Sequence, residues 1–495
     1  MSQRFLAIQR ILGVIIVMSS MTKLPPAFLA LAWGEQETPS VFFGSFMVSF
    51  LVGVALWLPA RNVNYEMRLR DGFLIVTMTW VFASLLPAQY RLVGAVSALP
   101  FVHGPPHLSY TDAIFEATSG LTTTGATVIP SLDDLPRSVL FYRQLLQFLG
   151  GMGIVILAVA ILPMLKIGGT QLFRAESTGP TKDTKLTPRI AETAKALWAV
   201  YFGLTVMCAA SFWVGGMSLF DAIGHAMSTV STGGFSTYDA GFATWKSPVL
   251  EWIAIVFMML GGINFGLHYI AWRRASLGVY GSDSELRSFL RIVVGASLIV
   301  ALTLWLGGDY AGMGDSFRNA TFQVVSNITT TGFVVPGFDQ WTGPAPFLVV
   351  SIAVIGGCAG STVGGLKVAR VVMVVRQGYR EIKQLVHPKA QFLVKMGGRR
   401  VSESVVLSVS GFIAIWMLCF VVLVIGMSAT GLDLETSYGA VMATLANSGP
   451  GLGAVAYSFA SVNDFATWLG TLGMILGRLE VFSLLVLLTP QFWRE

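Results

Sequence analysis

Charge is scarce in this chain: 12% of its 495 residues are Asp, Glu, Lys or Arg, about half of the roughly 25% typical of soluble globular proteins. That shortage excludes a cytosolic enzyme, and the apolar excess described below excludes a disordered chain. Cysteine is nearly lacking. The three present, Cys208, Cys358 and Cys419, lie inside apolar segments with no CxxC or metal-ligand spacing, which excludes a secreted disulfide scaffold. They read as small buried hydrophobes. What the chain has in excess is apolar: 54% hydrophobic residues and a mean hydropathy of +0.69. These residues gather in runs of about 18 or more, the length that crosses a bilayer. The composition is that of a polytopic membrane protein. Its net charge of +6 matters less than where the basic residues fall.

Apolar spans run over about 11–33, 40–60, 73–98, 139–165, 196–219, 248–272, 290–308, 345–370, 405–428 and 464–489, ten in all. The first is too long for the apolar region of a cleaved signal and a second follows at once, so it is expected to be retained. Segments 61–71, 166–195, 273–291 and 367–400, with the two ends of the chain, hold 25 of the 32 Lys and Arg. The others are Lys23, Arg91, Arg137, Arg143, Lys246, Arg318 and Arg478. With ten spans, the rich segments all fall on one side, which places both termini in the cytoplasm.

The four segments on the opposite side repeat one another. They align without gaps as DAIFEATSGLTTTG (112–125), DAIGHAMSTVSTGG (221–234), NATFQVVSNITTTG (319–332) and TSYGAVMATLANSG (436–449). Each opens on a residue suited to a helix N-cap, Asp112, Asp221, Asn319 or Thr436, and closes on a glycine. A further glycine follows in the next span, 24–27 residues on: Gly150, Gly261, Gly356 and Gly473. A recurrence of about 100 residues is hard to produce by chance. Between cap and terminal Ser/Thr/Gly run there is room for a helix of about nine residues, which rises about 14 Å and reaches only halfway into the hydrocarbon. Such a helix ends in unpaired carbonyls and the negative end of its dipole. Non-helical backbone at that depth is tolerated only when buried in protein or lining a watery cavity. The expectation is therefore four re-entrant hairpins around a pore, with rings of carbonyls that replace the hydration shell of an alkali cation. Ordinary capped surface loops are the alternative.

At these rows the chain resembles the Trk/Ktr/HKT superfamily of cation transporters, specifically its bacterial TrkH/TrkG branch, over nearly its whole length. TTTGA, STGGF, TTTGF and ANSGPG look like that family's four filter segments, and the two spans before the first repeat are also like that branch. The resemblance implies an all-α polytopic fold: two N-terminal transmembrane helices (1–65), then four helix–pore-loop–helix repeats (66–170, 171–275, 276–400 and 401–495) arranged pseudo-fourfold around a central pore. It implies potassium bound by a filter of Thr123, Thr124 and Gly125; Thr232, Gly233 and Gly234; Thr330, Thr331 and Gly332; and Asn447, Ser448 and Gly449. The fourth row is the least Thr-like, but Asn447-x-Gly449-Pro450-Gly451 is the family's pattern there. It further implies a homodimer in the bacterial inner membrane, regulated by a cytosolic TrkA-like protein. That partner would carry the nucleotide (ATP/ADP or NAD); this chain itself would hold no cofactor and bind no nucleic acid.

The stretch GGCAGSTVGGLK (356–367) is a poor prescription for straight helix. Family members place an intramembrane gating loop there, which would comprise Gly356, Gly357, Gly360, Ser361, Thr362, Gly364 and Gly365; close packing of small residues is the other reading. A P-loop is rejected because Lys367 follows Leu366 rather than Gly. Arg478 lies mid-span, where a charge is a functional candidate by default. By resemblance it sits below the filter as a barrier to cations, while an internal pair with Glu480 competes with that role. Glu116 either tunes cation density or caps backbone. His103 and His107 are two ligands without a third, and the sequons at Asn319 and Asn327 fall inside hairpins. The basic segments 166–195 and 367–400 suit anionic membrane lipids or a docked partner. The function expected is potassium uptake. Sodium permeation or Na+/H+ coupling on the same fold, and a secondary carrier of an organic solute, remain as alternatives. An enzyme is not expected, because His225 and His268 lack catalytic companions.

Overall fold

A computed structural model describes residues 3–63, 65, 69–96, 108–164 and 190–493. His103, His107 and most of the basic segment 166–195 lie outside them. Three helices come first: α1 (Gln3–Met21), α2 (Leu24–Ala32) and α3 (Thr38–Ala60). Then one unit recurs four times: a long helix, a short buried helix, an extended stretch and a returning helix. The units are α4 (Leu69–Val96), α5 (Tyr110–Leu121) and α6 (Arg137–Met164); α7 (Ile190–Val214), α8 (Leu219–Val230), α9 (Pro248–Gly261) and α10 (Phe265–Arg274); α11 (Ser284–Gly307), α12 (Met313–Ile328), α13 (Ala345–Ser351) and α14 (Val368–Val386); and α15 (Glu403–Ser428), α16 (Leu434–Leu445), α17 (Asp464–Arg478) and α18 (Phe482–Leu485). Among the described residues the regular structure is helical, apart from a two-stranded hairpin pairing Lys395 with Arg400.

The units close on themselves. The returning helix of each packs on the short helix of the next: α6 on α8, α9 on α12, α13 on α16 and α17 on α5. Polarity is inverted relative to a soluble protein. Thr118, Gln144, Gln147, His225, Ser228 and Asn327 are buried, while Val294, Leu298, Leu302, Leu418, Val422 and Ile425 are exposed on α11 and α15. An apolar outer face is what a hydrocarbon solvent demands, and the polar interior marks where function lies. Among the described residues, five helical segments are long and apolar enough to span alone, seven when each bent pair counts as one.

Local chemistry sets the element ends. Asp283 caps α11 by accepting the Leu286 N–H at 2.7 Å, and Gly308 ends it at φ +80°. The short helices start earlier than their aligned rows suggest. Their N-caps are Ser109, Ser218, Gly312 and Asp433, so Asp112, Asp221 and Thr436 sit in the first turn and Asn319 lies in mid-helix. The helices run 12, 12, 16 and 12 residues instead of about nine; in the first, second and fourth, Ser109, Ser218 and Asp433 upstream take the cap. Ser109 and Asp112 form a reciprocal capping box. The Thr436 hydroxyl and N–H donate to Asp433 and hold its carboxyl below the ordinary carboxylate value.

Three returning segments are broken where the sequence suggested one. Besides the interruption after α13, α9 and α10 meet at 96°, and α17 meets the segment from Phe482 at 104°. α1 and α3 pack so closely that a methyl placed on Gly53 would lie 2.8 Å from the Val17 nitrogen. Gly53→Ala should therefore lower the unfolding free energy by about 1–3 kcal/mol. Gly295→Ala, with nothing within 4 Å, should lower it not at all; thermal unfolding in detergent reads both.

Candidate functional site

The last four residues of each row repeat one backbone conformation. Thr123, Thr232, Thr330 and Asn447 lie at φ +55°, +54°, +48° and +56°, and Gly125, Gly234, Gly332 and Gly449 at +83°, +81°, +85° and +87°. The N–H of Thr123, Thr232, Thr330 and Asn447 donates to the carbonyl three residues back. That of Thr124, Gly233, Thr331 and Ser448 donates five back, at 2.8–2.9 Å. This is a Schellman closure, in which glycine ordinarily takes the left-handed position. Here three threonines and an asparagine hold it. A β-branched residue there is strained by roughly 1–2 kcal/mol, the kind of strain that collects at functional sites.

The closure uses the N–H groups and leaves the carbonyls. Among the described residues no hydrogen bond reaches the carbonyl oxygens of Thr123, Thr232, Thr330 and Asn447, or those of Gly125, Gly234, Gly332 and Gly449. The four residues of the first layer are all buried. Buried carbonyls are almost always paired, so the first layer, without donors, needs an electropositive partner, and the second, of which Gly125, Gly234 and Gly332 are half-buried, lines the way to it. Each short helix also directs the negative end of its dipole here.

The glycines show how tightly the rows meet. A methyl placed on Gly125 would lie 2.2 Å from the Gly233 oxygen, on Gly234 1.8 Å from that of Thr331, on Gly332 2.3 Å from that of Ser448, and on Gly449 2.6 Å from that of Thr124. The contacts run first row to second, third, fourth and back to the first. The rows form a closed ring.

On one side this ring is covered. Arg478, at the end of α17, donates to the Thr123 hydroxyl at 3.2 Å, the Thr362 carbonyl at 3.1 Å and the Gly150 carbonyl at 2.7 Å. Its guanidinium also lies over the Trp80 ring. Thr232 donates to the Thr362 hydroxyl at 3.1 Å, the Gly364 N–H to the Thr330 hydroxyl at 2.8 Å, and the Gly365 N–H to the Ala446 carbonyl at 3.1 Å. Segment 356–365 with Arg478 thus touches all four rows. Its glycines fit closely: methyls on Gly356, Gly357, Gly364 and Gly365 would lie 2.3–2.8 Å from backbone oxygens, and one on Gly360 would meet the Asn264 side chain. The Ser361 hydroxyl turns inward to the Cys358 carbonyl at 2.6 Å.

Several residues that hold this assembly were not singled out from the sequence. Gln147 donates to the Gly233 carbonyl at 2.6 Å and accepts from Ser228 and from the Phe235 N–H. The break at Gly262–Asn264 receives the loop, with Cys358 N–H on the Gly262 carbonyl and Phe265 N–H on the Gly360 carbonyl. Glu285 accepts the N–H groups of Ala359 and Ala369. Glu480 pairs with Arg370 at 2.5 Å, which leaves the expected alternative, a pair with Arg478, unrealised. Polar residues inside an apolar run were the available signal for Gln147, as they were for Arg478. His225 bonds Asp221 and Ser236, and His268 bonds Leu260 and Tyr280, so both are structural. Asn319 and Asn327 are buried on α12.

Residues 38–494 match the model of a family described as TrkH, cation transport protein. The chain belongs to the TrkH family. It is 48% identical over 497 residues to the Trk system potassium uptake protein TrkH of Vibrio parahaemolyticus, covering 99% of this chain and all of that one. It is 46% identical to the protein of the same description from Escherichia coli K12, over 99% of this chain and all of the relative. The fold matches the crystal structure of the potassium transporter TrkH from Vibrio parahaemolyticus with a TM-score of 0.87 at 45% identity, over 99% of this chain and all of that one. The family is one of transporters, not enzymes.

Gln147→Leu leaves the Gly233 oxygen and the Phe235 N–H without their side-chain partner, while the Ser228 hydroxyl keeps the Phe235 carbonyl. It should reduce the unfolding free energy by about 1–3 kcal/mol, measured by thermal unfolding; unchanged stability would show that Gln147 does not brace the second row.

Proposed function

We propose that this protein takes up potassium across the bacterial inner membrane, and that the observation carrying the proposal is the pair of four-membered layers of carbonyls without donors. Carbonyl oxygens in rings of four suit a weakly hydrated alkali cation, whose water they replace. The names of the relatives, potassium uptake proteins over their full lengths, support the same ion. Potassium would lie among Thr123, Thr124 and Gly125, Thr232, Gly233 and Gly234, Thr330, Thr331 and Gly332, and Asn447, Ser448 and Gly449. Inward movement follows a negative-inside potential, worth about 2.3 kcal/mol per charge per 100 mV.

Segment 356–365 acts as the gate in this reading, with Arg478 placing a positive charge against the ring on the cation's path. Opening requires the loop to release Thr330, Ala446 and Gly262, all of which it holds through its own backbone N–H groups. The force for that comes from a cytosolic TrkA-like partner carrying the nucleotide, docked on a homodimer whose termini are cytoplasmic. The basic face from Lys367 to Arg400 is its seat, or that of anionic lipid headgroups.

Flux in proteoliposomes tests the ring. Wild type should pass potassium and rubidium well above sodium, and Gly332→Ser, which drives a side chain at the Ser448 oxygen, should abolish the discrimination. Equal sodium flux in wild type would move the ion, and absence of cation flux with and without the cytosolic partner would remove the pore. Arg478→Ala tests the gate: partner-independent flux should rise roughly tenfold, the equivalent of about 1.4 kcal/mol of barrier. Unchanged leak would sink the arginine's role.

A further inference from the structure

The fifth residue of each row differs in kind: Glu116, His225, Gln323 and Ala440. Each side chain able to bond braces the strand that follows its own row. Gln323 accepts the Val335 N–H at 2.8 Å, and His225 meets the Ser236 hydroxyl at 3.0 Å. Glu116 accepts the Val128 N–H and the Thr127 hydroxyl, both at 3.0 Å, on Oε2. Glu116 alone is an acid, and it is not available to cations. Arg143 of α6 holds its Oε1 through Nε at 2.8 Å and Nη2 at 2.7 Å. Both residues are buried, at 8% and 4% exposure, so the pair is neutral as a unit and adds little to the field at the mouth.

What the pair does add is a link between rows. Arg143 Nη1 donates to the Ser236 carbonyl at 3.2 Å, and its guanidinium lies 4.0 Å from the centre of the Phe235 ring. Phe235 and Ser236 directly follow Gly234; Thr127 and Val128 follow Gly125. The chain Val128 N–H, Glu116, Arg143, Ser236 carbonyl therefore fastens the exit of the first row to that of the second. These are neighbouring rows, with the Gly125 methyl position only 2.2 Å from the Gly233 oxygen. A guanidinium serves because its rigid fork can bond a carboxylate and still reach a carbonyl and a ring face.

We infer that Glu116 and Arg143 are a positioning pair that sets the registry of the first two rows, and through it the discrimination between potassium and sodium. The inference rests on the reading of the rows as a cation filter. Removing one member would strand a buried charge, so the test uses variants that do not. Glu116→Gln/Arg143→Gln keeps the net charge and removes the bridge. Arg143→Lys keeps the ion pair but, as a point charge, cannot also hold Ser236 and Phe235. Full-length protein in proteoliposomes is assayed for potassium and sodium flux at matched incorporation, with Gly332→Ser alongside.

Both variants should lower the potassium-to-sodium ratio by about tenfold, the scale on which a charge-assisted bond acts. A wild-type ratio in Arg143→Lys with a low ratio in the double variant would overturn positioning in favour of a purely electrostatic role. Wild-type ratios in both, with discrimination lost in Gly332→Ser, would overturn the inference and keep the filter. Retained discrimination in Gly332→Ser would overturn the filter itself. Should the double variant fail to insert, the ratio in Arg143→Lys decides alone.

Discussion

The structure turns on an imbalance between donors and acceptors. At the end of each short helix the chain satisfies its N–H groups by folding them back onto the last turn, and it has nothing left for the carbonyls. In a soluble protein water would solve this. Inside a membrane protein it must be solved by packing or by an ion, and packing has been refused: the strands meet edge to edge through glycines with no room for a donor side chain. The left-handed threonines are a consequence of the same demand, since the Schellman closure needs that conformation whichever residue holds it. Strain is tolerated because the surroundings over-determine it.

The covering loop closes one side of the ring without supplying those donors. It meets the third and fourth rows with its own backbone N–H groups and the first through Arg478. With Arg478 it reaches the hydroxyls of Thr123, Thr232 and Thr330 and the carbonyls of Val230 and Ala446, and it leaves the two donor-free layers untouched. The ring and its cover are therefore separable assemblies sharing one boundary. Movement of the loop need not disturb the layers above it, because those are braced from the other side by Gln147, Gln323 and the Glu116–Arg143 link.

The fourfold plan was legible because its requirement is local and repeated. A glycine at each row end is demanded both by positive φ and by the neighbouring oxygen, and one chain states that demand four times. The small-residue loop was legible for the same reason. Other features answer to distant partners. The bend after Arg478 places Glu480 and Val481 at φ +51° and +56°, and no propensity favours valine there. The corner is held by the Arg370–Glu480 pair and by the Val481 N–H on the Leu476 carbonyl. The break at Gly262 reads in isolation as a packing glycine, and its purpose is visible only with the loop in place. Helix starts were misplaced because Asp112, Asp221 and Thr436 are as good at the third helical position as at the cap, and the deciding Ser109, Ser218 and Asp433 lay just upstream.

That the ring is written four times in one chain, and not once in four chains, has its own consequence. Where identical subunits surround an axis, any substitution arrives four at a time and symmetry is preserved. Here each quarter of the ring is encoded separately, so its lining can be graded in single steps and its quarters can drift apart. They already have: TTTG stands opposite TTTG, while STGG faces ANSG, and among the described residues only Gly233 in the intervening layer has its oxygen engaged by a side chain. A ring so encoded is adjustable by quarters, a finer dial than a symmetric assembly possesses.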